Sequence, residues 1–309
     1  MTLQQLKYFI EIVNSGSINK AAESLYISQP SLSNAVKDLE AEVGVELFNR
    51  TPKGITLTMD GVEFLGYARQ VVEQASLLEQ RYLSKKPSRR LCSISTQHYA
   101  FAVNAFVNMV KKTNADEYEF TLRETRTHEI IEDVKTLRSE LGILYMNPFN
   151  KKVLEKLLRE NGLTFHPLFI AKPHIFVSTT NPLAQKKYVT PEDLEDYTCL
   201  SFEQGENNSF YFSEEILSTA YSKKTIRVSD RATIFNLMIG LNGYTISTGI
   251  VSADLNGDNI TAVPLHIDDS IEVGWIAHHS IQLTRQATMY LEELKQVVSE
   301  YDVLMDEQI

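Results

Sequence analysis

The chain has 309 residues, with 30 lysines and arginines against 40 aspartates and glutamates, a net charge of −10, and 43% hydrophobic residues. That length suits two or three domains, and the composition is that of a chain able to bury a core. No apolar run approaches the ~18 residues a membrane-spanning helix needs, and the amino terminus lacks the marks of a secretory signal, so a cytoplasmic protein with no membrane partner is expected.

Charge is unevenly distributed. Residues 1–90 carry 11 basic and 10 acidic side chains, whereas the remainder carries 19 and 30. Any nucleic-acid contact therefore belongs to the first segment, through a local patch rather than bulk charge. The two cysteines, Cys92 and Cys199, are far apart and in no CxxC pair, so they read as ordinary reduced thiols rather than metal ligands.

In chain order, Leu3, Leu6, Phe9, Ile10 and Val13 form one stripe of a helix over 2–14, with the capping-box spacing of Thr2 and Gln5 at its start. Ser17 opens a short second helix through Ile18, Ala21, Ala22 and Leu25. Ser28 caps a third, with Pro30 in its first turn, Leu32, Val36, Leu39 and Val43 inward, and Gly44 at its end. This is a helix-turn-helix. From Glu46 to Thr58, two β-prone runs flank the type I turn signal Thr51-Pro52-Lys53-Gly54, the wing of a winged helix-turn-helix. A long helix follows from Asp60 to about Tyr82. Its Val62, Leu65, Ala68, Val72, Ala75, Leu78 and Tyr82 make a heptad-like seam with no evident core of its own to cover, so a second copy of the chain is the natural partner. Lys85 to Arg90 reads as a polar linker.

Beyond residue 90, strands and helices alternate. Strands are expected at 91–96, 119–124, 141–145, 174–179, 198–202, 225–228, 244–247, 260–265 and 271–277. Helices are expected at 99–112, 129–139, 212–221, 232–241 and 283–303. Alternation implies parallel sheets with right-handed crossovers. Breaks at Phe165–Leu168 and Leu265–Asp269 divide this part into two lobes. The expected organisation is a DNA-binding domain over 1–58, a linker and dimerisation helix over 59–90, and an α/β effector domain over 91–309. Its first lobe takes about 91–166 and 269–309, and its second about 167–268.

The outward residues of the third helix carry the chemistry. Gln29 and Asn34 suit paired hydrogen bonds to adenine, Ser33 is tolerant, and Lys37 reaches guanine or phosphate. Ser28, Pro30 and Ser31 form the helix start that enters a major groove, while Arg50, Thr51 and Lys53 put the wing on the backbone or minor groove. In a two-lobed α/β domain, ligands gather at strand ends beside helix starts. Those ends are Ser95, Thr96 and Gln97, then Tyr145, and on the other lobe Ser201, Phe202, Glu203, Gln204, Thr248 and Gly249. Hydroxyls and backbone N–H groups at 95–97 suit a carboxylate or other small anion.

The segment INKAAESLYISQPSLSNAVKDLEAEVGVELFNRTPKGITLTMDG resembles the signature of LysR-type transcriptional regulators. The resemblance implies a winged helix-turn-helix, a dimerising linker helix and a periplasmic-binding-protein-like effector domain. It also implies promoter DNA as partner, a homodimer assembling to a homotetramer, contact with RNA polymerase, and a small-molecule effector in place of any cofactor. Asn34 stands where many members carry Arg, which alters one DNA contact. Thr96-Gln97 resembles the ligand-gripping segment of members controlling cysteine biosynthesis. STQHYAF, LRETRT, FEQGENNSF and LNGYTIST resemble Gram-positive regulators of sulfur amino-acid metabolism, which implies an O-acetylserine-like effector.

Other classes fare worse. A solute-binding protein would need an export signal. An enzyme would need a dinucleotide fingerprint, phosphate loop, metalloprotease helix or nucleophile elbow, and none is present. Asp254–Asp258 has too few acidic positions for a calcium loop, and adjacent His278 and His279 point to opposite sides of a strand, so no metal is expected.

Overall fold

The computed structural model describes residues 1–51, 54–83, 90–251, 257–301 and 303–305. Residues 1–88 and 89–309 form separate units. In the first, helix α1 (Leu3–Ser15) begins with a closed capping box: the Thr2 hydroxyl accepts from the Gln5 N–H at 3.2 Å and the Gln5 side chain accepts from the Thr2 N–H at 2.8 Å. Helix α2 (Ile18–Ser24) starts at Ser17, whose side chain makes no capping bond. Helix α3 (Gln29–Val43) is capped by Ser28 and ends at Gly44, whose φ of 77° is the left-handed conformation glycine takes without strain.

Strands β1 (Phe48–Thr51) and β2 (Gly54–Leu57) pair antiparallel as the wing. The Glu40 carboxylate ties α3 to it by accepting the Leu47 and Phe48 N–H groups at 2.9 and 3.1 Å. Leu32, Val36 and Leu39 of α3 lie fully buried with Leu6, Phe9 and Ile12 of α1.

Helix α4 (Met59–Leu83) corrects one expectation. It has a core of its own to cover. Ala68 is only 2% exposed, Leu65 and Val72 pack with it into the cluster of α1 and α3, and Phe64 meets the Phe9 ring edge-on at 5.2 Å. The seven-residue seam therefore splits. Leu65, Ala68 and Val72 serve the chain's own core, Ala75 is half-buried, Val62 and Leu78 are exposed, and the Tyr82 side chain lies outside the described residues. Tyr67, Val71 and Leu78 form a different exposed apolar stripe.

The second unit holds two mixed sheets. The first contains β3 (Arg90–Thr96), β4 (Tyr118–Glu124), β5 (Leu141–Met146), β6 (Leu163–Ala171), β12 (Ile271–His278) and β13 (Leu304–Met305), in the order β13-β6-β12-β5-β3-β4. Helices α5 (Ala100–Lys112) and α9 (Arg285–Ser299) cover one face. Helices α6 (Thr127–Lys135) and α7 (Lys151–Glu160) cover the other. The second sheet contains β7 (His174–Ser178), β8 (Cys199–Phe202), β9 (Thr225–Val228), β10 (Tyr244–Ser247) and β11 (Ile260–Pro264), in the order β11-β7-β10-β8-β9, with helix α8 (Arg231–Leu241) on one face. Only β3, β4 and β5, and separately β8, β9 and β10, run parallel; the other pairings are antiparallel, so the expected parallel sheets are mixed ones.

Three further differences have physical causes. The expected break at Phe165–Leu168 lies inside β6, because the register shift opposite Val273 and Gly274 lets Pro167 sit where the ladder is already interrupted. The first crossing between lobes therefore falls at residues 172–173. Helix α7 was not foreseen, although Val153, Leu154, Leu157 and Leu158 have helical spacing and Leu154 and Leu158 are buried. The helix expected over 212–221 is absent; a short 3-10 turn at Phe210–Phe212 leads into turns. The linker stretch 85–89 and most of Asp254–Asp258 lie outside the described residues.

Two glycines of α4 give a matched test of this packing. A Cβ on Gly61 would meet the Leu47 carbonyl oxygen at 2.1 Å, whereas one on Gly66 would meet nothing within 4 Å. Gly61→Ala should destabilise the first unit by about 1–3 kcal/mol, and Gly66→Ala should stabilise it by up to about 1 kcal/mol. Denaturant unfolding of both variants reads the difference.

Candidate functional site

Burial of Leu32, Val36 and Leu39 fixes what α3 presents. Gln29, Pro30, Ser31, Asn34 and Lys37 are exposed, and Ser33 is half-buried on the flank. The Ser28 hydroxyl accepts from the Ser31 N–H at 3.3 Å and lies 2.7 Å from the Ser31 hydroxyl, so this pair shapes the helix start while Gln29, Asn34 and Lys37 project from it. Lys53 lies outside the described residues, as do the side chains of Arg50 and Thr51. Tyr26 was missed in the sequence. It is 96% exposed, in the turn before α3, with a φ of 55° that a bulky residue seldom adopts. Asp38 is also exposed, beside Lys37.

In the second unit the strand ends meet across the two lobes. Glu214, in the irregular stretch after β8, reaches to the start of α5. Its carboxylate accepts from the His98 backbone N–H at 3.0 Å, lies 2.9 Å from His98 Nδ1, and accepts from the Gln204 side chain at 3.2 Å. The His98 ring stacks on Phe202 with centroids 4.0 Å apart. Gln204 also accepts from the Thr127 N–H at 3.2 Å, and the Thr127 hydroxyl donates to the Phe212 carbonyl at 2.8 Å. Ion pairs Arg126–Glu203 and Arg231–Glu124 join the lobes nearby.

This network redistributes the expected effector residues. Ser95 is buried away from the cleft: strand alternation places it with Ser93 toward α6, bonded to Asp133 at 2.7 Å and Ser139 at 2.8 Å. Thr96 turns its hydroxyl onto the Gln97 carbonyl, and Gln97 is consumed by Thr127, the Tyr99 hydroxyl and the Tyr145 N–H. Ser95, Thr96, Gln97 and Tyr145 are all buried, and each is hydrogen-bonded within the chain. Between the lobes a space of about 30 Å³ remains, bordered by His98, Phe202, Glu214, Glu215 and Thr248. Ser201, Phe202, Glu203 and Gln204 instead border a cavity of about 790 Å³ within the second lobe, with Arg227, Tyr244 and Glu215. Gly249, at φ 83°, lines neither; a Cβ there would strike the His174 ring at 2.5 Å.

Electrostatics follow from burial. Burial opposes charge on the His98 ring, but the Glu214 hydrogen bond and charge, with Glu124, outweigh it and raise its pKa. Burial, aggravated by neighbouring Glu214, pushes the Glu215 carboxyl well above the ordinary range even though it accepts from the Phe202 N–H at 2.8 Å. A carboxyl that keeps its proton when folded and loses it when unfolded weakens the fold as pH rises above its ordinary value. Glu215→Gln removes that loss. Its melting temperature should exceed that of the wild type at pH 8, with the gap closing toward pH 5 in calorimetric scans.

Comparison with known proteins accords with both halves. Residues 3–62 match the bacterial regulatory helix-turn-helix proteins of the lysR family, and residues 112–299 match the LysR substrate binding domain. The HTH-type transcriptional regulator CysL of Bacillus subtilis is 25% identical over 300 residues, covering 94% of this chain and 95% of that protein. The hydrogen peroxide-inducible genes activator of Haemophilus influenzae is 24% identical over 210 residues, covering 66% of this chain and 65% of that one. Full-length CbnR, solved with its target DNA, superposes with a TM-score of 0.54 at 19% identity, covering 96% of this chain and 100% of that one. An OxyR variant of Corynebacterium glutamicum gives 0.52 at 18% identity, covering 97% and 92%. The outward polar face of α3, the wing and the two-lobed α/β unit thus belong to one known arrangement, and the chain is a LysR-family transcriptional regulator, a DNA-binding protein with an effector-binding domain and not an enzyme.

Proposed function

We propose that this regulator reads promoter DNA through the exposed side of α3 and answers to a small metabolite bound between the lobes of its effector domain. One observation carries the DNA half: Gln29, Asn34 and Lys37 project opposite a fully buried aliphatic seam, so the helix presents base-reading groups while its back is held. Ser28, Pro30, Ser31 and Ser33 shape the docking end, and Arg50, Thr51 and Lys53 serve the wing's contact with the DNA backbone or minor groove.

The exposed stripe Tyr67, Val71 and Leu78 of α4 supports pairing with a second copy of the chain, and the resemblance to the family carries the rest of the reading, a homotetramer working in the cytoplasm with RNA polymerase. The metabolite acts by favouring one assembly geometry over another. An O-acetylserine-like amino-acid derivative, and control of sulfur amino-acid metabolism, remain the reading of the pathway, in accord with the likeness to CysL.

Likeness to the hydrogen peroxide-inducible genes activator raises a peroxide-responsive alternative. The thiols of this chain argue against it. Burial, with Glu140, pushes the Cys92 pKa up to about 12, and burial also raises that of Cys199. Thiols so held are poor thiolates and poor peroxide targets.

Lys37→Ala should weaken binding to the chain's own promoter in mobility-shift assays and reduce the slope of log affinity against log salt by about one. An unchanged slope and affinity would remove α3 from the interface. Promoter footprints with and without sulfur metabolites, preceded by thermal-shift screening, test the effector half.

A further inference from the structure

We propose that Glu214 is a built-in competitor for the effector: it occupies the seat at the start of α5, and the effector enters by exchanging its own carboxylate for that of Glu214. This rests on the reading that a small molecule binds between the lobes, and adds the ligand's chemistry and the residue it must displace.

The seat is already filled by a carboxylate from another part of the chain. Glu214 is separated by 116 residues from His98, yet both side chains are only 4% exposed and meet through the backbone N–H, the ring and the Gln204 amide. Every group that touches the Glu214 oxygens there can act as a donor, the neutral His98 ring included in its Nδ1–H form. A ligand carboxylate would inherit the same bonds, so the swap leaves no buried donor unpaired. A neutral ester or amide would forfeit the charge-assisted part of them. Only about 30 Å³ is free beside it while Glu214 stays.

The segment that carries Glu214 can give way. Residues 203–217 hold no helix longer than the single 3-10 turn at Phe210–Phe212, and Gly205 and Leu217 both take positive φ, at 58°. Behind the segment lies the cavity of about 790 Å³, bordered by Gly205, Ser213, Glu215, Ile216 and Leu217. The segment therefore borders an empty volume within the second lobe.

The test uses the full-length protein and acetate as the probe, with acetamide as its uncharged shape and sodium chloride to match ionic strength. In Glu214→Ala the amides at His98–Phe101 should exchange faster with deuterium. Acetate should restore their protection and raise the melting temperature, and acetamide should do neither. The wild type, its seat filled, should bind acetate at least about tenfold more weakly. Glu214→Gln keeps the shape and loses the charge; should the alanine variant not fold, tighter acetate binding by Glu214→Gln than by the wild type carries the same conclusion. Equal acetate affinity in wild type and variant, or unchanged exchange at His98–Phe101, overturns the proposal. Acetate binding is read without a promoter, so it stands or falls separately from the footprint that tests the effector reading.

Discussion

A carboxylate is retained inside a protein only where donors surround it, and in the effector domain that requirement organises the whole cleft. Glu214 draws in the His98 N–H, the His98 ring and Gln204; Gln204 accepts from Thr127; Thr127 closes on Phe212 and Gln97. The strand ends that would otherwise face a ligand are committed to one another. Phe202, stacked on His98, and the Arg126–Glu203 pair seal the edges.

The headpiece solves a different problem. Its function needs a polar face held rigidly in space, and the solution is a small aliphatic core to which each helix contributes. Leu32, Val36 and Leu39 anchor α3, Glu40 clamps the wing to it, and Gly61 lets α4 approach the Leu47 backbone. Its helices are built from apolar periodicity and caps. That kind of structure is legible in a sequence, and the capping box at Thr2, the cap at Ser28 and the stop at Gly44 all lie where the residue pattern places them.

The effector domain was legible in its elements but much less in its site. Strands such as Thr225–Val228 and Tyr244–Ser247 follow from β-branched and aromatic runs. Strand β6 did not, because Pro167 reads as a breaker unless the bulge opposite Gly274 is known. Phe212, Ile216, Leu217 and Ala220 have helical spacing, yet Glu214 and Glu215 are pulled to His98 and to the Phe202 N–H, and those long-range bonds override local propensity. Strand periodicity also could not say which side of β3 faces the cleft, and Ser95 lies with Asp133 and Ser139. Partners more than a hundred residues apart leave no periodic trace.

The chemistry of the lobe contact bears on how the domain can switch. An apolar core already runs through both lobes, from Ile94 and Phe101 to Ile175 and Val263. Apolar contact alone would favour closure with or without ligand, since it is non-directional and grows with the area buried. A polar clasp behaves otherwise, because its groups can exchange partners without being left unpaired, and a ligand offering matching groups then competes on nearly even terms. A ligand shifts an equilibrium only by its differential affinity for the two states. Placing exchangeable hydrogen bonds where the lobes meet, and apolar contact behind them, keeps the free-energy gap between those states small enough for a metabolite to decide.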